Sequence, residues 1–324
     1  MVTILDGGLS NALEARGHDV SGALWTARLL DESPEEIAAV HRAYFAAGAD
    51  VATTASYQAS VPGFVEAGMT QTYATELLRR SVRIAREVAE EAPGRLVAAS
   101  IGPYGAYLAD GSEYRGRYGV SAATLRDFHA PRLALLETED PDLIAVETIP
   151  DLEEAEVLVD LLDDIGLPVW FSYSCAGTRT RADQPLADAL ALAAGVRSVV
   201  AVGVNCCDPA DVPAAIQLAT ATGEPAVVYP NSGETYRARS SGELARPLAP
   251  SEGVTARSAE TWSSGETTAD SPPDGGTWTG TPNFRAGEAL SWIRAGAAYV
   301  GGCCRVGPAE IALIAAEASL LQAE

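Results

Sequence analysis

The 324-residue chain is 47% hydrophobic, enough to bury a large core, which excludes a chain disordered throughout. Its 44 acidic and 22 basic side chains give a net charge of −22, which excludes a nucleic-acid partner, since phosphate binding draws on clustered Lys and Arg. A small-molecule ligand is the better expectation, and because every basic side chain is Arg, Schiff-base chemistry of the pyridoxal or lysine-aldolase kind is excluded as well.

The amino-terminal MVTILDGGLSNALEARG has no basic start, no continuous apolar core and no small-residue cleavage site, so no secretory signal is expected. No apolar run approaches the ~20 residues of a membrane-spanning helix, and the reading is a cytoplasmic protein with no membrane partner. A first strand at 2–5 leads into Asp6-Gly7-Gly8-Leu9-Ser10, a tight turn without the spacing of a dinucleotide-binding glycine fingerprint. Helical patterns follow at 34–47, 72–90, 122–136, 152–163, 185–194, 211–219, 283–295 and 308–321. They alternate with further strands at 50–54, 96–101, 143–147, 168–174, 199–205, 226–229 and 298–301. Many of these strands are apolar without alternation, as buried parallel strands are. Eight β-then-α units predict an α/β fold, a single-domain (βα)8 TIM barrel rather than an open doubly wound sheet. Residues 237–276, rich in Ser, Thr, Gly, Pro and Glu and without apolar periodicity, read as a flexible insertion in the loop after the seventh strand.

Residues with chemical potential fall at strand ends. Asp6, Thr54, Glu147, Cys206 and the pair Cys303-Cys304 all stand at or just past the last residue of a predicted strand, positions that a barrel brings to one mouth. Three thiolates there suit Zn²⁺, which favours sulfur in a tetrahedron and keeps one position open at a catalytic site. Gly301 and Gly302 are expected to let the backbone bend so that both following side chains aim at one ion. The five cysteines include two adjacent pairs, too close for an unstrained disulfide, and a reducing compartment or a metal is the sensible reading. Cys175 and Cys207 read as core. Asp6 and Glu147 end otherwise apolar strands, where a carboxylate calls for a cationic partner such as a ligand ammonium, the alternative being a pair of exposed loop acids in a very acidic protein. His18, His41 and His129 lie away from strand ends and are read as surface or helix-face residues.

The segments LDGGLS, LWTARLL, TTASYQAS, SIGPYGAYLADGSEYRG, VETIP, GVNC, VVYPNSGE and GGCCR run in order along nearly the whole chain. Together they resemble the homocysteine S-methyltransferase family, in particular the branch using S-methylmethionine or S-adenosylmethionine rather than betaine. The resemblance implies that Cys206, Cys303 and Cys304 ligate zinc, that Asp6 and Glu147 hold the homocysteine amino group, and that Thr54 contacts the amino-acid substrate. Asn231 is a candidate donor contact, and the insertion after YPNSGE is longer than is usual for the family. The implied reaction moves a methyl group from a sulfonium to the zinc-held thiolate of homocysteine, giving methionine, with no general base needed at the methyl. The rival readings are a non-catalytic zinc-binding barrel, a methyltransferase for another thiol or selenol, and a thiol redox protein, the last of which lacks the usual CxxC.

Overall fold

A computed structural model of the chain describes residues 2–20, 24–237, 277–279, 281–282, 284 and 286–322. Eight parallel strands form its centre: β1 Thr3–Ile4, β2 Val51–Thr53, β3 Leu96–Ile101, β4 Leu143–Ile149, β5 Val169–Tyr173, β6 Val199–Asn205, β7 Ala226–Tyr229 and β8 Ala297–Val300. They pair in the order β1-β8-β7-β6-β5-β4-β3-β2, and a parallel bridge from Leu5 to Val51 joins the two ends, so the sheet closes into the expected barrel. The outer ring is α1 Pro34–Ala46, α2 Gln71–Ala89, α3 Ala122–Glu137, α4 Leu152–Leu162, α5 Leu186–Ala194, α6 Val212–Thr220, α7 Ala286–Arg294 and α8 Pro308–Gln322.

Local signals set the helix starts. The side chains of Thr70, Ser121 and Asp151 accept hydrogen bonds from the amides of Tyr73 (3.3 Å), Thr124 (3.1 Å) and Glu153 (3.1 Å), capping α2, α3 and α4. The strands alternate with period two. Val97, Ile144, Val146, Val202 and Val228 face the helices, and Leu5, Val51, Ala98, Ala145, Trp170, Ala201 and Val227 fill the barrel interior. Moving two residues on from these interior positions towards the carboxyl ends of the strands reaches Thr53, Ser100, Glu147, Ser172, Gly203 and Tyr229. The interior therefore turns from apolar to mostly polar at one mouth, the face where barrels of this kind build their sites.

Several short elements escape the sequence reading, all in the loops at this face: helices Leu9–Ala15, Leu29–Glu32, Val61–Glu66 and Tyr104–Leu108, the single turns Trp25–Arg28 and Ser112–Tyr114, and a small hairpin of Cys175–Ala176 with Arg179–Thr180. His41 and His129 are fully buried on the inner faces of α1 and α3 rather than at the surface, and burial lowers the basicity of both. The expected insertion lies outside the described residues except for Arg237, which ends a strand, Thr235–Arg237, paired antiparallel with Thr277–Thr279. That ribbon joins the two ends of the segment. Replacing residues 238–276 with a short Gly-Ser linker is therefore expected to leave folding and zinc content intact; circular dichroism and metal analysis of the variant check it, and an unfolded product would show the segment to be part of the barrel.

Candidate metal and amino-acid site

Cys206 follows β6 directly, with a backbone φ of +51°, a left-handed conformation that costs a non-glycine residue free energy and persists only where its surroundings fix it. They do so on both sides. The Cys206 amide donates to the Tyr229 carbonyl (3.2 Å), and the preceding Asn205, fully buried, accepts at Oδ1 from the Thr148 amide (2.7 Å) and the Ser172 hydroxyl (2.9 Å) while donating to the Thr148 hydroxyl (2.7 Å). Thr148, next to Glu147, is itself left-handed at φ +62°.

The Cys303-Cys304 loop is pinned to the chain just past β7. The Cys303 amide donates to the Pro230 carbonyl (2.7 Å), the Cys304 amide to Asn231 Oδ1 (3.1 Å), and the Ser232 amide to the Cys304 carbonyl (3.0 Å). Arg305, at φ +61°, pairs with Glu234, and its amide donates to Asn11 Oδ1 (2.7 Å). Asn231 thus supports the loop that carries two sulfurs. The role expected for the two glycines also changes. Neither Gly301 nor Gly302 has a positive φ; close packing demands them, since a Cβ would lie 2.6 Å from Leu5 Cβ at Gly301 and 2.0 Å from Val306 Cγ1 at Gly302.

These constraints bring the sulfurs of Cys206, Cys303 and Cys304 within 4.8 Å of one another, with 3.6 Å from Cys206 to Cys304 and 4.0 Å from Cys303 to Cys304. Sulfurs at about 2.3 Å from a tetrahedral zinc stand about 3.8 Å apart, so the three would fit one ion. The three thiols act on one another: contact with its two neighbours holds the Cys206 thiol well below the usual range, and contact with Cys206 holds Cys303 and Cys304 well above it. Cys175 and Cys207 stay out of this cluster, free and buried in the apolar core.

Two carboxylates line the same cavity. Asp6, just past β1 and 5% exposed, accepts from the Thr53 amide (2.7 Å) and hydroxyl (2.8 Å), and burial raises its pKa from 3.8 to about 7, with the charge of Glu147 adding to the rise. Glu147 on β4 accepts from the hydroxyl of Ser100, and burial raises it from 4.5 to about 7. Tyr229, which lines the same cavity, is held by Trp170 Nε1 (3.0 Å) and the Ser172 hydroxyl (2.6 Å). Two buried acids near neutrality, with no basic side chain among the described residues that line their cavity, ask for a cationic ligand. Thr54 also lines the cavity, but its hydroxyl is already engaged by the Ser100 amide (3.0 Å) and by Ser56 (2.7 Å).

Sequence reasoning passed over Thr53 and Ser100, whose hydroxyls bond the two acids, Tyr229 in the cavity lining, and Arg132 on α3. Fully buried, Arg132 donates to the carbonyls of Ser56, Tyr57 and Gly102, tying the loops after β2 and β3 together. Periodicity supplied a signal for the first three, each the last or next-to-last residue of a predicted strand; Arg132 had none, since its partners lie at least 30 positions away.

The profile of the homocysteine S-methyltransferase family matches residues 3–318. Homocysteine S-methyltransferase 4 of Zea mays is 42% identical, over 96% of this chain and 88% of its own length, and homocysteine S-methyltransferase of Escherichia coli (strain K12) is 40% identical over 97% and 94%. Among solved structures, the metallated form of the homocysteine methyltransferase MmuM from Escherichia coli superposes with a TM-score of 0.76 at 36% identity, covering 97% of this chain and 96% of that one.

Proposed function

This chain belongs to the homocysteine S-methyltransferase family, and on that premise we propose that it methylates homocysteine to methionine at a zinc ion held by Cys206, Cys303 and Cys304, with a sulfonium compound as donor. The observation that carries the reading is the meeting of three sulfurs and two buried carboxylates in one cavity. Zinc, when bound there, holds a thiol as its thiolate at neutral pH. Asp6 and Glu147 take the homocysteine ammonium, whose charge offsets theirs; Thr53 and the hydroxyl of Ser100 keep the two carboxylates in place at the cavity.

In the transfer, the homocysteine sulfur forms a bond to the methyl carbon while the carbon–sulfur bond to the donor breaks, and the electron pair of that bond stays on the leaving sulfur. No proton moves at the methyl, so the chain needs no general base there. The chain's contribution is alignment of the two sulfurs about the methyl. An acidic protein favours a cationic donor over the neutral thioether product, so charge loss assists release. Among the described residues no helix is long and apolar enough to cross a membrane, and the unpaired cysteines suit a reducing cytoplasm.

Donor class is tested by offering S-methylmethionine, S-adenosylmethionine and betaine in parallel with homocysteine. Methionine is expected from one or both sulfonium donors and none from betaine; turnover with betaine alone would overturn the sulfonium assignment.

A further inference from the structure

The segment 104–118, most of which belongs to the longest motif in the sequence, holds none of the residues assigned a role so far. It begins with the helix Tyr104–Leu108 and passes through the turn Ser112–Tyr114, packed so closely that a Cβ at Gly105 would lie 2.4 Å from the Glu113 amide. Two acids of the outer ring clamp it from behind. Glu154 on α4, fully buried, accepts from the Tyr104 amide (2.6 Å) and the Tyr118 hydroxyl (2.9 Å) and bonds His129 Nε2 (2.8 Å), and Asp151 accepts from the Arg117 amide (2.7 Å). At the front, Tyr114 lines the cavity with its hydroxyl 3.6 Å from Cys206 Sγ.

Direction follows from chemistry. A sulfur committed to a cation carries no proton, so in the loaded protein the bond runs from the Tyr114 hydroxyl to Cys206. Resting on the zinc reading above, we propose that Tyr114 is a positioning residue that donates a hydrogen bond to the Cys206 sulfur and so couples the 104–118 loop to the metal centre. The bond fixes the side chain of a ligand whose backbone is left-handed, and it withdraws electron density from one of three anionic sulfurs. Partners of metal ligands act in this way, and their loss typically costs about 10- to 100-fold in metal affinity or activity.

The test is Y114F, which removes the hydroxyl and keeps the ring. Zinc affinity, measured by competition with a chromophoric chelator, is expected to fall about 10- to 100-fold. The sulfur-to-cobalt charge-transfer band of the cobalt-loaded protein is expected to move to lower energy, and the unfolding midpoint of the metal-free protein to stay that of the unsubstituted chain. Unchanged affinity with an unmoved band overturns the proposal; so does weaker zinc binding accompanied by an unstable metal-free protein and an unmoved band, which is the signature of packing alone. Should Y114F fail to fold, the cadmium-loaded unsubstituted chain decides: a tyrosine hydroxyl proton with scalar coupling to the cadmium nucleus supports the bond, and its absence overturns it. An unsubstituted chain that binds no zinc would bring down the metal reading itself, a result distinct from zinc that binds indifferently to Tyr114.

Discussion

Serine in place of Cys206, Cys303 or Cys304 is expected to empty the metal site and abolish methionine formation in each single variant. Serine keeps the shape of cysteine but offers a hard, protonated oxygen where the ion prefers a soft thiolate, and two remaining sulfurs no longer make a tight site. The loss should exceed the about 10- to 100-fold that removal of an outer partner costs. Cys175→Ser and Cys207→Ser supply the contrast. Both thiols lie inside an apolar core, so a hydroxyl there should cost about 1–3 kcal/mol of stability and leave zinc and turnover in place. Metal analysis and turnover of the five variants decide the assignment: zinc lost from Cys207→Ser and kept in Cys206→Ser would transfer the ligand role between neighbours.

Asp6→Asn and Glu147→Gln should raise the KM for homocysteine about 30-fold or more with zinc retained, because each removes one partner of a buried charge pair, a change that costs about 2 kcal/mol at least. The same acids give the substrate-free protein a pH dependence. Their pKa values rise to about 7 on folding, so between about pH 4 and pH 7 the unfolded chain releases protons that the folded chain keeps. The stability they contribute is therefore full below about pH 4 and is lost as pH rises through about 7. For Asp6, raised from 3.8 to about 7, the loss is on the order of 4 kcal/mol. Urea midpoints of the metal-free protein at about pH 5 and about pH 8 should differ less in each variant than in the unsubstituted chain. Added homocysteine should restore stability at the higher pH, since its ammonium pairs with the ionised acids. Variants with unchanged KM and an unchanged pH profile would return both acids to a structural role.

Most of this was legible at the strand ends. Leu96–Ile101, Val199–Asn205 and Ala226–Tyr229 coincide with the strands expected, because a buried parallel strand is a short apolar run with a clear end, and each end carries a polar or sulfur-bearing residue into the mouth. Closure of the barrel was implied by the count of eight units. The loops carried little such signal. Helices of four to seven residues such as Leu29–Glu32 and Leu9–Ala15 are too short for periodicity to mark. The left-handed backbone of Cys206 cannot be read from a residue type that seldom adopts it, and depends on Tyr229 and Asn205. Long-range support was hidden for the same reason: Asn11 anchors the amide of Arg305, 294 positions away, and Tyr114 reaches Cys206 across 92. Local pattern names the residues at the ends of strands, and only the closed barrel says which of them meet.

The account stands most directly on metal dependence. Methionine formation from homocysteine and a sulfonium donor should be followed in the purified chain, in the same protein stripped by a chelator with zinc loss verified by metal analysis, and after zinc is returned. About one zinc per chain is expected at the start, with turnover lost on stripping and recovered on reloading. Full turnover by a chain shown to be free of metal would contradict the account.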